Sequence, residues 1–190
     1  MGVFIRNASW ECPVRLLISD ANILIDLEEA QLTALLFHLP FRVMAPDLLF
    51  FDELAEQHGR LTEMGLELGE LHPTAMEESV ALAARYPKPS RYDCLALALA
   101  KQETCPLVTG DRHLREAAIL EKVPVVGTLW LVELMILHGL IGTDQARDAY
   151  ERMRMSGRRL PWQEAEHRLR TIEAGTFEPV DPFNSDDAHG

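Results

Sequence analysis

Short apolar runs alternate along this chain with longer segments of helical spacing. Val14–Ser19 is an apolar run of strand length closed by Asp20. From Asn22 to Leu39 apolar residues recur at helical intervals, and Pro40 ends the segment. Phe41–Ala45 reads as a second strand. Pro46 then opens a helix over Asp47–Gln57 that Gly59 closes, as proline suits a first helical turn and glycine a stop. Arg60–Leu68 has helical spacing, Gly69–His72 reads as a brief strand, and Thr74–Tyr86 as an amphipathic helix with Thr74 as cap and Glu77 three residues on.

The break Pro87-Lys88-Pro89 precedes the most informative stretch, Ser90–Asp111. Ser90 is a good N-cap and Asp93 falls at the third helical position. The alternation Leu95-Ala96-Leu97-Ala98-Leu99-Ala100 mimics a strand, but leucine and alanine are strong helix formers, so the segment predicts a buried helix. Leu107–Thr109 is a strand, and Gly110 or Asp111 starts a helix through Leu120. Pro124–Val126 is another strand closed by Gly127. Thr128–His138 is an apolar helix stopped by Gly139, with Trp130, Leu131, Leu134 and Leu137 for the core or a dimer interface.

Short apolar strands separated by helices imply an α/β sandwich around a central, mostly parallel sheet of four to five short strands. Two more polar, arginine-containing helices follow, Thr143–Met155 and Trp162–Glu173. The segment from Thr176 to Gly190, rich in Pro, Asp and Gly, predicts a disordered acidic tail. The expected organisation is therefore a domain over 1–140, a helical extension over 141–175 and the tail over 176–190.

A length of 190 residues, 47% apolar and 25% charged, suits one soluble domain with a full core and an appendage. No apolar run is long enough to cross a bilayer, and the first residues lack the apolar core of a signal peptide. Cys12, Cys94 and Cys105 are widely spaced, which argues against a disulfide framework or a zinc site and fits the reducing cytoplasm. The net charge of −12 runs against broad affinity for nucleic acid, which phosphate contacts would drive. It is compatible with carboxylates that hold cations, or with a basic protein partner.

Three acids stand at helix starts: Asp20, Asp93 and Asp111. Each alone has an ordinary explanation, since Asp near a helix N-terminus satisfies free amides and meets the positive end of the dipole. Asp20 and Asp111 also follow strands directly, and so share the carboxyl edge of the sheet, where open α/β sheets place their sites. A simple layout puts Asp93 at the opposite edge, and only helix packing brings it across.

In order and spacing, SDANILIDL around Asp20, PDLLFFDEL around Glu53, YDCLALALA around Asp93 and VTGDRHL around Asp111 resemble the PIN domain. This metal-dependent nuclease fold includes the VapC-like ribonuclease toxins of bacterial toxin–antitoxin pairs. The resemblance covers roughly residues 14–140. The later GTLWLVELMILHGLI with two helices is similar to a PIN-like subgroup with a C-terminal helical extension.

The resemblance implies a PIN-like α/β/α sandwich and a pocket of Asp20, Glu53, Asp93 and Asp111 holding Mg²⁺ or Mn²⁺, which prefer oxygen ligands. It also implies an endoribonuclease that hydrolyses RNA phosphodiesters, a small antitoxin partner and a homodimer. Asp52 and Glu56 are alternatives to Glu53 for the second acid. Asn22 and Thr109, and less so Ser19, are candidates to support a ligand carboxylate or a water. Arg112 and His113 are candidates for substrate phosphate, against simple exposure on a first helical turn. Six arginines between Arg152 and Arg170 read as a solvated face, because glutamates are interleaved, or as a surface for RNA or a partner.

The alternative function is a weakly active or inactive PIN-like protein that serves as a binding or regulatory module. Two other carboxylate sites fit poorly. A haloacid-dehalogenase phosphatase needs an acid where Asn22 stands, and a phospho-receiver needs a lysine after a late strand, whereas Lys122 precedes one.

Overall fold

A computed structural model describes residues 15–183. Val14 of the predicted first strand, Cys12, and residues 184–190 of the predicted tail lie outside the described residues. Among the described residues five strands form one parallel sheet: β1 (Arg15–Ser19), β2 (Phe41–Pro46), β3 (Glu67–Gly69), β4 (Leu107–Val108) and β5 (Val125–Val126). Their order is β3-β2-β1-β4-β5, with every pair parallel. The chain builds outward from β1 to β3 and then crosses to the other side of β1, so the order reverses between β1 and β4.

Both faces of the sheet are covered, which is why the central strands carry consecutive buried apolar residues, Leu17-Ile18 and Leu107-Val108, rather than alternating ones. Leu17, Val43 and Val108 face one core cluster. Ile18 and Leu107, their neighbours in the strands, face the other. The first face carries α1 (Ala21–Glu29), α2 (Thr33–Leu36) and the later helices; the second carries the helices over Pro73–Arg85, Arg91–Glu103 and Arg112–Leu120. The result is the expected α/β/α sandwich.

The predicted helix over Asn22–Leu39 is in fact two, because the chain turns at Gln31 with φ of 58° between α1 and α2. The Asp47–Gln57 helix is also interrupted. It comprises α3 (Asp47–Leu49), a π-helical turn over Phe50–Leu54, and α4 (Ala55–His58). The wider turn keeps Leu49, Phe50 and Leu54 buried while leaving Asp52 and Glu53 outside. Next, α5 (Arg60–Met64) stops at Gly65, whose φ of 126° an L side chain rarely adopts, and β3 therefore starts before the predicted Gly69.

The helix α6 (Pro73–Arg85) begins one residue before the expected Thr74 cap, with proline in its first turn and no side-chain cap. It packs along α7 (Arg91–Glu103). Every residue of α7 from Cys94 to Ala100 is buried, as the leucine–alanine alternation predicted, because the helix lies between the sheet and α6. A Cβ on Gly69 would stand 2.5 Å from Met44 Sδ and 2.8 Å from a Leu99 methyl, so the end of β3 has no room for a side chain. The segment Tyr86–Pro89 lies alongside α8 (Arg112–Leu120), and Tyr86 donates its hydroxyl to Glu121 at 2.9 Å. This path returns the chain to the carboxyl edge, so α7 starts there.

Beyond β5, α9 (Thr128–Leu137), α10 (Thr143–Met155) and α11 (Trp162–Glu173) complete the first face. Ala146, Ala149, Tyr150 and Met153 of α10, with Ala165 and Leu169 of α11, belong to the same buried cluster as Leu17 and Val43. The arginines here are less uniformly solvated than their pattern implied. Arg152 donates to the Ala30 carbonyl at 2.9 Å, Arg158 pairs with the buried Asp26, and Arg168 with the buried Glu133 at 2.8 Å.

The first part of the expected disordered tail is anchored. Trp130 Nε1 donates to the Val180 carbonyl at 2.9 Å, and the Phe183 ring stacks on Phe41 at 5.8 Å between centroids. Cys94 and Cys105 are free and buried. Among the described residues no helix is long and apolar enough to cross a membrane.

Candidate active site

The reversal of strand order leaves a crevice at the carboxyl edge between β1 and β4, and the sequence puts an acid on each side of it. Asp20 ends β1 and caps α1, accepting the Ile23 amide at 2.9 Å. Asp111 follows β4 and caps α8, accepting the Leu114 amide at 2.7 Å. Thr109 ties the two together. Its hydroxyl donates to Asp20 Oδ2 at 2.5 Å and accepts the Asp111 amide at 3.0 Å. Thr109 therefore hydrogen-bonds to both residues. Ser19 does not, since its hydroxyl turns to the Asp20 carbonyl at 2.9 Å.

Asp93 comes in from above on α7. It is half of a capping box: Ser90 N donates to Asp93 Oδ2 at 2.8 Å and Asp93 N to Ser90 Oγ at 3.1 Å. The structure thus removes the edge problem, because the path over α6 and α8 starts α7 beside β1 and β4 rather than at the far edge.

The electrostatics identify Asp93 as the hub. Burial, helped by the charge of Asp111, raises its carboxyl above the ordinary value. The Asp93 charge in turn raises Asp20 and Glu53. For Asp20, which is fully buried, loss of solvent is the main cause, and its carboxyl is pushed up to about 7 despite the hydrogen bonds from Thr109 and Ile23. Glu53 is exposed, and its carboxyl is raised first by partial burial and then by Asp93 and Asp52.

Two residues of α7 distinguish the neighbouring acids on the α3–α4 segment. Tyr92 donates its hydroxyl to Asp52 Oδ2 at 2.8 Å, and Arg91 stands 3.4 Å from the same oxygen. Asp52 is thereby bound at the rim, while Glu53 lies within the field of Asp93. Glu56 is exposed on α4. Other candidates are not brought in. Arg112 and His113 both turn to Glu116, at 2.9 Å and 3.7 Å, and Asn22 is exposed, with its carbonyl accepting from Arg158 at 3.2 Å.

One acid escaped the sequence reading. Asp26 is buried on the inner side of α1, held by the Arg158 guanidinium and by the Thr128 hydroxyl at 2.9 Å, and its charge also raises Asp20. Its signal was a carboxylate on the apolar stripe of Ile23, Leu27 and Ala30, a position where an acid needs a partner.

Among the described residues no three His, Cys, Asp or Glu side chains gather into a finished metal cage. The donor set nevertheless suits a hard divalent cation. It is all carboxylate and hydroxyl, it keeps lone pairs beyond those given to the helix amides, and it holds raised acids that a cation would neutralise.

Carboxylates around the switch point of a parallel sheet define an α/β protein whose donor set suits divalent cations. A family model for the PIN domain, DUF3368, matches residues 16–174. The chain belongs to the PIN domain family, a family of nucleases that generally use divalent metal ions. Among solved structures, PAE2754 from Pyrobaculum aerophilum is similar at 20% identity, covering 68% of this chain and 96% of that one with a TM-score of 0.45. No curated protein matches the chain.

Proposed function

We propose that this protein is an endoribonuclease dependent on Mg²⁺ or Mn²⁺ that hydrolyses RNA phosphodiester bonds. The observation that supports the reading is that Asp20 and Asp111 flank the switch point and share Thr109, with Asp93 near enough to raise both Asp20 and Glu53. Asp20, Asp93 and Asp111 would hold the cation, with Glu53 closing the open side. A bound divalent cation supplies a water of lowered pKa and offsets the charge that develops on the phosphodiester.

The chain's own residues prepare that chemistry. Thr109 fixes the Asp20 carboxylate and the Asp111 backbone in one hydrogen-bonded unit. The amino ends of α1, α7 and α8 meet at the acids and favour their charged forms. Tyr92 and Arg91 hold Asp52 aside, so that Glu53 is left for the site.

We further propose the role of toxin in a toxin–antitoxin pair, restrained by a small antitoxin and working as a homodimer. Family membership supports this, as does the apolar surface beside Glu53 formed by Leu48 and Phe51, 39% and 64% exposed. Cleavage of a mixed RNA pool with Mn²⁺, Mg²⁺ or EDTA tests the enzyme reading. Metal-dependent cleavage should disappear in Asp20→Asn and Asp111→Asn, and cleavage that survives both removes it.

A second reading, a poorly active PIN-like binding module, is favoured by the exposure of Glu53 and by the lack of a finished cage among the described residues. Purification with a stoichiometric protein partner, together with no heat of metal binding in calorimetry, would select it.

A further inference from the structure

Beside the acids, on the β4–β5 side of Gly110, the carboxyl edge opens into a second cavity of about 360 Å³. Arg115, Arg159 and Arg168 line it, against two carboxylates, Asp26 and Glu164. Pairing accounts for both carboxylates. Asp26 is bound by Arg158 and Thr128, and Glu164 by Arg168 at 2.7 Å, which also holds Glu133. Among the described residues Arg115 and Arg159 are left without a carboxylate partner, and because Arg168 is shared by Glu133 and Glu164 the group carries one net positive charge.

Arg115 is half-buried, and its guanidinium donates to carbonyls rather than to a carboxylate: Thr109 at 3.1 Å and Val125 at 3.5 Å. Gly127 makes this placement possible, since a Cβ there would stand 2.9 Å from Arg115 Nη2. Arg159 is exposed and has no hydrogen bond or ion pair among the described residues. The field of Asp20 reaches Arg115, so cavity and acids are electrostatic neighbours.

A guanidinium drawn out of water without a counter-ion is costly, and its planar fork matches phosphate oxygens. We propose that this cavity binds a phosphate group through Arg115 and Arg159, and that in the nuclease this is a substrate phosphodiester flanking the one that is cleaved. The second half rests on the nuclease reading; the first does not. Such a notch lets a chain of net charge −12 take up a polyanion through a local contact rather than through its overall field.

The test uses the full chain in EDTA, titrated with inorganic phosphate while the arginine Nε–Hε resonances are followed by NMR. Saturable shifts of Arg115 and Arg159 are expected in both the wild type and Asp20→Asn, and should be lost in Arg115→Gln/Arg159→Ala. Arg159→Ala alone, at an exposed position, carries the test if the double variant is unstable. A short RNA is then bound to Asp20→Asn with its linkages changed one at a time to uncharged methylphosphonate. One flanking linkage should weaken binding about tenfold, the size expected for one charge-assisted contact, and the arginine variant should abolish that penalty.

No saturable phosphate shift, together with no position whose penalty depends on the arginines, overturns the proposal. Phosphate binding with a flat methylphosphonate profile assigns the cavity to a free phosphate and overturns the strand assignment. Metal-dependent cleavage without either effect refutes the cavity and keeps the nuclease. Phosphate binding without any cleavage does the reverse.

Discussion

Replacing Asp20 by Asn should make the metal-free protein more stable at pH 8, although it removes a residue from the centre of the site. Asp20 is fully buried, and its carboxyl is raised from 3.8 to about 7. Between those values the folded chain binds more protons at this position than the unfolded chain. Stability is therefore fully present below about pH 4 and is lost as the pH rises through about 7. At about 1.4 kcal/mol per unit, the three-unit rise amounts to roughly 4 kcal/mol at pH 8.

Asparagine keeps the acceptor for the Ile23 amide. Its NH₂ meets the Thr109 hydroxyl, which already accepts from Asp111 N, and the mismatch costs about 1 kcal/mol. The expected net gain is about 2–3 kcal/mol at pH 8, falling to nothing or slightly below at pH 4. Urea unfolding of both proteins at several pH values measures it, and the difference between them cancels the other titrating groups. Added Mn²⁺ should reverse the order by stabilising the wild type alone. A variant less stable than wild type at pH 8 without metal, or a difference independent of pH, would refute the reasoning.

Thr109→Val should destabilise by about 1–3 kcal/mol in urea unfolding, and should move the rise of cleavage with pH to higher pH, since the Thr109 bond is the larger of the two that lower the Asp20 carboxyl. Glu53→Gln should reduce cleavage more than tenfold, while Asp52→Asn and Glu56→Gln stay within about threefold of wild type, as Glu53 lies in the field of Asp93 and Asp52 is held by Tyr92 and Arg91; equal losses in kinetic assays would undo the assignment. Arg158→Ala should cost about 3 kcal/mol of unfolding free energy by leaving the Asp26 carboxylate buried with only Thr128, and Asp26→Asn in that background should restore much of it.

Asp20 and Asp111 were readable in the sequence because the physics that places them is local: an apolar run, then an acid, then a helix start. The location of Asp93 was not, because it depends on α6 crossing α7 and on Tyr86–Pro89 running beside α8, which no spacing encodes. The same holds for the second acid. Asp52 and Glu53 are adjacent, and what separates them is Tyr92 and Arg91, about forty residues away. The π turn and the break at Gln31 left no trace in the apolar periodicity, which both preserve. Asp26 and Arg158 meet across 132 positions, and only the folded core brings them into contact.

Asp20, Asp93 and Asp111 each complete the first turn of a helix, at Ile23, Ser90 and Leu114. In this chain the acids proposed for the site also anchor the starts of α1, α7 and α8. Selection for a well-closed fold would retain these acids in a descendant that had lost all turnover, so their persistence among relatives would record architecture as well as catalysis. Asparagine separates the two, because it can cap a helix yet brings no charge to a cation. A descendant with Asn at all three positions would keep the three helix caps and lose the charges proposed to hold a cation.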